Sequence, residues 1–268
     1  GNDYIYFNCI DNPIVNPEGL AVRLSDRHFG VGADGIILIC NSDKADVKMR
    51  MFNADGSEGK MCGNGIRCVA KYCYDNAIVN KKEMAIETLS GIKNVQIRTQ
   101  NGMAKSITVE MGKAELNPRK IPVKIEGESV VAKKCKIGDK EYEITCVSMG
   151  NPHCVVFVPH VENIDIEKIG PKFEESPLFP EGVNVEFVKV IDKHTLKMRV
   201  WERGSGETWA CGTGACAVAV AAVVNGYCDN EKEVTVKLLG GDLKIRYTDS
   251  GVFMTGDALK VYDGEVEV

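Results

Sequence analysis

MCGNG at residues 61–65 and ACGTG at residues 210–214 are one five-residue phrase written twice, and the register that superposes them holds far beyond the phrase. Laying Cys62 on Cys211 also lays Gly1 and Asn2 on Gly150 and Asn151, Met49 and Arg50 on Met198 and Arg199, and Glu58 on Glu207. Further along, Val69 and Ala70 meet Val218 and Ala219, Asn76 meets Asn225, Leu89 meets Leu238, Gly91 meets Gly240 and Gly102 meets Gly251. An ungapped register over about a hundred residues is the mark of a duplicated unit, not of two glycine-rich stretches that look alike. Duplication implies two similar domains, with equivalent positions on opposite walls of a shared cleft. Residues 113–149 have no counterpart in the register and contain Pro118 and Pro122, so they are expected to form the crossover. The expected domains are 1–112, joined by a returning C-terminal strand at 257–268, and 113–256.

Each copy reads strand, turn, helix. DVKMRMF (46–52) and TLKMRVW (195–201) alternate apolar with polar residues; NADGSEGK and ERGSGET are turn chemistry. After the second phrase comes ACAVAVAAVV (215–224), apolar almost all round, which predicts a helix buried at the centre of a domain and stopped at Asn225-Gly226. The first copy's helix, IRCVAKYCYDN (66–76), is more amphipathic and ends at the equivalent asparagine. MAIETL, KNVQIRT, SITVEMG, EVTVKLL and LKIRYT read as alternating strands. The expected class is α+β: two pseudo-symmetric domains, each a curved, mostly antiparallel, barrel-like sheet around a central helix.

Composition excludes several functions. A net charge of −5 in 268 residues leaves no basic surplus for nucleic acid or an anionic membrane. The sequence has no apolar run of membrane-spanning length and does not open like a signal peptide, so a soluble cytoplasmic protein is expected. Eleven cysteines are an odd number in a chain that is not small, and Cys40, Cys146 and Cys154 lie in apolar runs, which argues against a disulfide framework. No CxxC pair occurs, and Cys62 to Cys68 or Cys211 to Cys216 would be unusual zinc spacings, so no metal is expected.

A cysteine followed by Gly-x-Gly at a helix start has chemical consequences. Unpaired N–H groups and the positive end of the helix dipole should lower the thiol pKa from about 8.5 toward neutrality. The same N–H groups can hold a carboxylate, and the glycines admit a ligand close to the backbone. Cys68, Cys73 and Cys216 fall further along the helices and read as packing residues. Two such thiols could serve redox chemistry, covalent catalysis or proton transfer. A single-cysteine hydrolase needs a histidine base, and the chain has four histidines, His28, His153, His160 and His194. A redox pair usually lies two residues apart, whereas these cysteines lie in separate halves. Inverting a carbon needs a base on one face and an acid on the other, which one thiol per half supplies.

The strings GND (1–3), DRHFGVGADG (26–35), FNADGSE (52–58), MCGNGIRC (61–68), SMGNPHC (148–154), WERGSGETWACGTGA (201–215) and VYDGEV (261–266) together resemble the diaminopimelate epimerase family, in its order and from end to end. That resemblance implies an isomerase that uses no cofactor or metal and interconverts LL- and meso-2,6-diaminopimelate on the route to lysine and peptidoglycan. It implies Cys62 and Cys211 as the acid–base pair. Asn2, Asn53, Asn151, Asn184, Glu202 and Arg203 are implied as substrate-binding residues, with Gly63, Asn64, Gly212 and Thr213 as the turns that bind carboxylate. His153 and Glu202 are implied to flank the reacting centre. Diaminopimelate is the implied partner, with no nucleic acid and no membrane, and a homodimer is the assembly the family often forms. Read alone, each Asn is a turn residue, His153 a satisfied polar residue and Glu202-Arg203 a solvated charge pair.

Two departures stand out. Some members of the family carry a substrate-contacting glutamine where this chain has Gly35, and the chain begins inside the family's GxGND motif, so the strand before Asn2 is expected to be missing. The rival within the fold is a proline racemase-like enzyme, which this chain resembles less: that group has a histidine where Asn64 stands and lacks WERGSGET. The rival from another class is a two-domain amino-acid-binding protein without turnover, which would have no need for both thiols.

Overall fold

GIILIC (35–40) is a run with no alternation, and the structure shows why: this strand is covered on both faces. The computed structural model describes residues 1–267. The chain divides into two compact units, one of Asn2–Glu110 with the segment from Thr255, the other of Met111–Met254 with Gly1.

The N-terminal unit runs β1 (Ile5–Asn8), α1 (Pro17–Ser25), β2 (Gly35–Cys40), β3 (Val47–Asn53), β4 (Glu58–Gly59), α2 (Gly63–Asp75), β5 (Glu83–Thr88), β6 (Gly91–Gln100) and β7 (Met103–Gly112). Its sheet has the order β1-β2-β3-β5-β6-β7, with β4 paired to β3. Helix α1 starts at Asn16, whose side chain accepts the Gly19 N–H at 3.1 Å, with Pro17 next. It buries Leu20, Ala21 and Leu24 with Ile36, Leu38 and Phe52. The alternate residues of β2 serve the other face: a side chain at Gly65 of α2 would meet Ile37 Cδ1.

The C-terminal unit runs β8 (Lys133–Ile137), β9 (Lys140–Ser148), β10 (Pro152–Phe157), a single 3-10 turn (Val161–Asn163), α3 (Ile166–Glu174), β11 (Asn184–Asp192), β12 (Thr195–Glu202), β13 (Gly206–Thr208), α4 (Gly212–Val224), β14 (Glu233–Leu238), β15 (Gly241–Thr248) and β16 (Gly251–Gly256). Its sheet runs β16-β15-β14-β12-β11-β10-β9-β8, with β13 on β12. Helix α4 packs against β9, β10, β11, β12, β14 and β15, strands from across the sheet, so the sheet must curve around it. This is why a helix that beyond Thr213 holds only Ala, Val, Gly and Cys216 has no polar face: Ala215 through Ala222 are all buried. On the outer face α3 covers Val185 and Phe187, a cluster in which each fully buried large apolar side chain is worth about 1.5–3 kcal/mol.

The two units share a pattern of pairing. β1 with β2 and β10 with β11 are parallel; β2–β3–β4 and β11–β12–β13 are antiparallel; β3 with β5 and β12 with β14 are parallel again. The repeat also carries one ion pair twice. Arg50 Nε donates to Glu58 Oε1 at 2.7 Å, and Arg199 Nε to Glu207 Oε1 at 2.7 Å, each with a second bond to Oε2. Each bidentate pair closes the short hairpin that leads to its cysteine.

Two expectations change. Residues 113–149 are more than a crossover, because β8 and β9 form a hairpin within them that extends the C-terminal sheet. The returning segment belongs to the N-terminal unit, but 257–267 is not a strand, and residue 268 lies outside the described residues. Side chains hold this segment in place of a ladder: Arg67 Nε donates to the Asp257 carbonyl at 3.2 Å and Arg23 to the Glu267 carbonyl at 3.2 Å. Among the described residues, no helix is long and apolar enough to cross a membrane.

Candidate active site

Cys62 and Cys211 are the N-caps of α2 and α4. Each Sγ accepts the N–H of the residue three positions on, Gly65 or Gly214, at 3.3 Å in both. A sulfur here takes the place of the usual Ser or Asp oxygen, satisfying one orphan donor of the first turn. The helices end at Asn76 and Asn225.

In the N-terminal unit, Asn2 Oδ1 accepts the Cys62 thiol at 3.4 Å and the Asn64 amide at 3.2 Å, while Asn2 Nδ2 is held by Asp34 at 2.7 Å. Asn53 ends β3 opposite Gly35 and donates to Ser57 Oγ at 3.0 Å. Two residues singled out by no motif reading join this cluster. The Tyr4 side chain lies beside those of Asn2 and Cys62, close enough to act on the ionisation of the thiol. Arg67, buried, donates to the Gly63 carbonyl at 3.1 Å and to Asn64 Oδ1 at 3.0 Å, beneath the start of α2. Gly35 makes room for Tyr4: a Cβ there would collide with the Phe52 carbonyl oxygen and stand 2.9 Å from the Tyr4 ring.

In the C-terminal unit, Cys211 donates to Glu202 Oε2 at 3.1 Å, and Thr208 donates to Glu202 Oε1. Glu202 and Arg203, adjacent in sequence, are not a charge pair: Arg203 is exposed and donates to the Glu181 carbonyl at 2.6 Å. Asn184 is buried, its Nδ2 on the Pro152 carbonyl at 2.9 Å and its Oδ1 accepting the Arg203 N–H at 2.9 Å. Asn151 Nδ2 donates to Thr213 Oγ1 at 3.3 Å, and its Oδ1 faces His153 Nε2 at 3.1 Å. His153 and Glu186, both fully buried, meet at 2.6 Å. Glu186 is the member of this network that the sequence hid, inside the apolar-looking strand NVEFVKV.

The expected lowering of the thiol pKa is overturned. Burial pushes Cys62 above the ordinary thiol value, against the N–H groups of Gly65 and Asn64, Arg67 and the Tyr4 hydroxyl, which pull it down. Burial raises Cys211 well above that value, and the neighbouring carboxyl groups of Glu202 and Glu186 add to it. The helix-start effect is present, but dehydration outweighs it. Cys73 and Cys216 are fully buried and Cys68 half-buried, as packing residues would be. Among the described residues no three His, Cys, Asp or Glu side chains converge as metal ligands.

Known proteins place this architecture. It is similar to a phenazine biosynthesis protein of the PhzF family from Bacillus anthracis, with TM-score 0.73, 17% identity, and 100% of this chain and 94% of that one covered. It is also similar to a probable proline racemase from Agrobacterium radiobacter, with TM-score 0.66, 14% identity, and 90% and 78% covered. The fold is therefore the two-domain α+β fold of the PhzF and proline racemase type. Within it, the sequence profile of diaminopimelate epimerase matches residues 1–117 and 145–261. Curated diaminopimelate epimerases of Acetivibrio thermocellus and Methanococcus maripaludis are 55% and 51% identical over 270 residues, covering 100% of this chain and 96% and 97% of theirs. The chain belongs to the diaminopimelate epimerase family.

Proposed function

We propose that the chain is an isomerase that inverts one α-carbon of diaminopimelate, interconverting the LL and meso forms by proton transfer between substrate and two cysteines. The family supports the reaction and the substrate. The observation that carries the two-cysteine reading is the duplicated cap: one thiol per unit, each on the first turn of the equivalent helix at the same 3.3 Å.

The α-hydrogen beside a carboxylate is far less acidic than a thiol, so the carbanion must be stabilised by the protein. The N–H groups of Gly63, Asn64, Gly212 and Thr213 are assigned to the substrate carboxylates. One such donor is worth about 3 kcal/mol, so several are needed in a site cleared of water. Asn2, Asn53, Asn151, Asn184, Glu202 and Arg203 are assigned to the remaining polar groups. Glu202 and His153 support the Cys211 side, the first by accepting the hydrogen bond of the thiol, the second through Asn151 and Thr213. In each turnover a C–H bond breaks as a thiolate takes the proton, and an S–H bond breaks as the other thiol delivers its own. A homodimer, a cytoplasmic location, and the absence of nucleic-acid and membrane partners belong to the same reading.

The test is turnover in D2O. LL-substrate should give meso-product already deuterated at the inverted carbon, while substrate remaining at early times stays nearly unlabelled. Early product without deuterium would mean one base returning its own proton, and the paired roles would fall.

A further inference from the structure

Glu186 is a carboxylic acid in a strand whose other buried positions are apolar or amide, and it has no part in the reaction as assigned. Residues 184–188 of β11 are all buried. Alternation sends Val185 and Phe187 into the outer cluster with α3, so Asn184, Glu186 and Val188 face the central helix α4. β10 pairs in parallel with His153 opposite Asn184, which puts the imidazole on the same face as Glu186. The carboxylate sits tight under the first turn of α4: a Cβ on Gly214 would stand 2.8 Å from Glu186 Oε1.

Hydrogen-bond accounting then fixes the protons. Asn151 Nδ2 donates to Thr213 Oγ1, so Oδ1 is the end turned to His153, and Nε2 must carry a hydrogen to meet it at 3.1 Å. Nδ1 and Glu186 Oε1, 2.6 Å apart, share a further one. The pair therefore holds two protons and is neutral as a whole. Glu186 Oε2, buried and without a hydrogen-bond partner among the described residues, fits that count, since a full carboxylate charge would leave it uncompensated. The other ionisable groups around Glu186, namely Glu202 on β12, Cys211 at the cap of α4 and Cys154 on β10, would each be negative if ionised and favour the same state.

We propose that Glu186 is a positioning residue: it keeps a proton on the His153 pair, so that every donor in the chain His153, Asn151, Thr213 points toward Cys211. The last link is the Thr213 hydroxyl, 3.7 Å from Cys211 Sγ. It is aimed at the sulfur that must become an anion, opposite in sense to the Glu202 carboxylate on its other side. Removing one proton from the pair leaves Nε2 bare. Asn151 then turns its amide over, Thr213 donates to Asn151 instead, and Cys211 loses a donor.

The inference rests on Cys211 being a reacting thiol. The experiment compares Glu186→Leu and Glu186→Gln with wild type in steady-state turnover of diaminopimelate and in 15N NMR of His153. Leu removes the proton-sharing partner, and kcat should fall about 10- to 100-fold, the usual scale for a residue that orients a functional group, with KM nearly unchanged. Gln offers an N–H to Nδ1 and should restore at least tenfold of that loss. The Nε2 nitrogen should read as protonated in wild type and in Glu186→Gln, and as a mixture in Glu186→Leu. If Glu186→Leu does not fold, Thr213→Val removes the last donor instead and should lower kcat on the same scale with KM unchanged; unchanged kcat there overturns the proposal. Equal activity of the Leu and Gln variants, or an unprotonated Nε2 in wild type, also overturns it. Turnover surviving in Cys211→Ala would sink the proposed function itself, a separate outcome.

Discussion

The Cys211 thiol donates to a carboxylate, Glu202 Oε2, across 3.1 Å. Its counterpart in the repeat, Cys62, faces the amide oxygen of Asn2 at 3.4 Å. The two caps are alike in backbone and unlike in charge. A carboxylate acceptor opposes ionisation of the thiol beside it, whereas Arg67 and the Tyr4 hydroxyl favour ionisation of Cys62.

Cys62 should therefore ionise at a lower pH than Cys211 in the substrate-free enzyme. Ultraviolet thiolate titration of Cys211→Ala and of Cys62→Ala, each referenced to the double variant, should show Cys62 ionising at the lower pH. Glu202→Gln removes a negative neighbour and should bring the Cys211 titration down. The opposite order of the two thiols would refute the assignment.

Cys62→Ala and Cys211→Ala should each lower epimerisation by about a thousandfold or more, with the double variant little worse, because the pair acts as a unit. Circular dichroism should be unchanged in all three. Near wild-type rates in either single variant would remove that cysteine from the mechanism.

A methyl group at the third residue of each cap tests the geometry. At Gly214 it would meet Glu186 Oε1 at 2.8 Å and Cys211 Sγ at 3.1 Å; at Gly65 it would meet the flexible tip of Ile37 at 2.5 Å. Overpacking costs about 1–3 kcal/mol where neighbours cannot yield. Gly214→Ala should lose more kcat and more thermal stability than Gly65→Ala, measured by turnover and calorimetry, because a hydrogen-bonded carboxylate cannot move aside as an isoleucine methyl can.

Stability should fall in alkali. Burial pushes Cys9 and Cys228 up to about 11 and Cys73 to about 12. The unfolded chain ionises its thiols from about 8.5, so the stability these groups contribute is whole below that pH and is lost as pH rises toward the folded values. Thermal midpoints should decline across this window, and the decline should be shallower in Cys73→Ala. An identical slope in that variant would show that Cys73 is not a source of the effect.

The repeat register named both cysteines, both caps and both helix ends, because each rests on local chemistry: glycines that let the chain turn, a side chain that can accept an N–H, an asparagine that stops a helix. The same register paired Arg50 with Arg199 and Glu58 with Glu207 before anything showed that they form equivalent ion pairs. Strand β2 and helix α1 left weaker signals, since a strand covered on both faces does not alternate and α1 is short.

What only the tertiary structure decided is the chemistry around each sulfur. Asn2 reaches Cys62 from 60 positions away, and His153 and Glu186 meet across 33. Such partners have no period or spacing to read. Glu186 in particular lies in a run of buried residues where a carboxylate signals nothing until the facing strand supplies a histidine. The sign of the thiol shifts was decided in the same way. The helix start, legible in sequence, lowers a thiol pKa, but burial is a property of the whole packed unit, and dehydration outweighed the first-turn N–H groups at both cysteines.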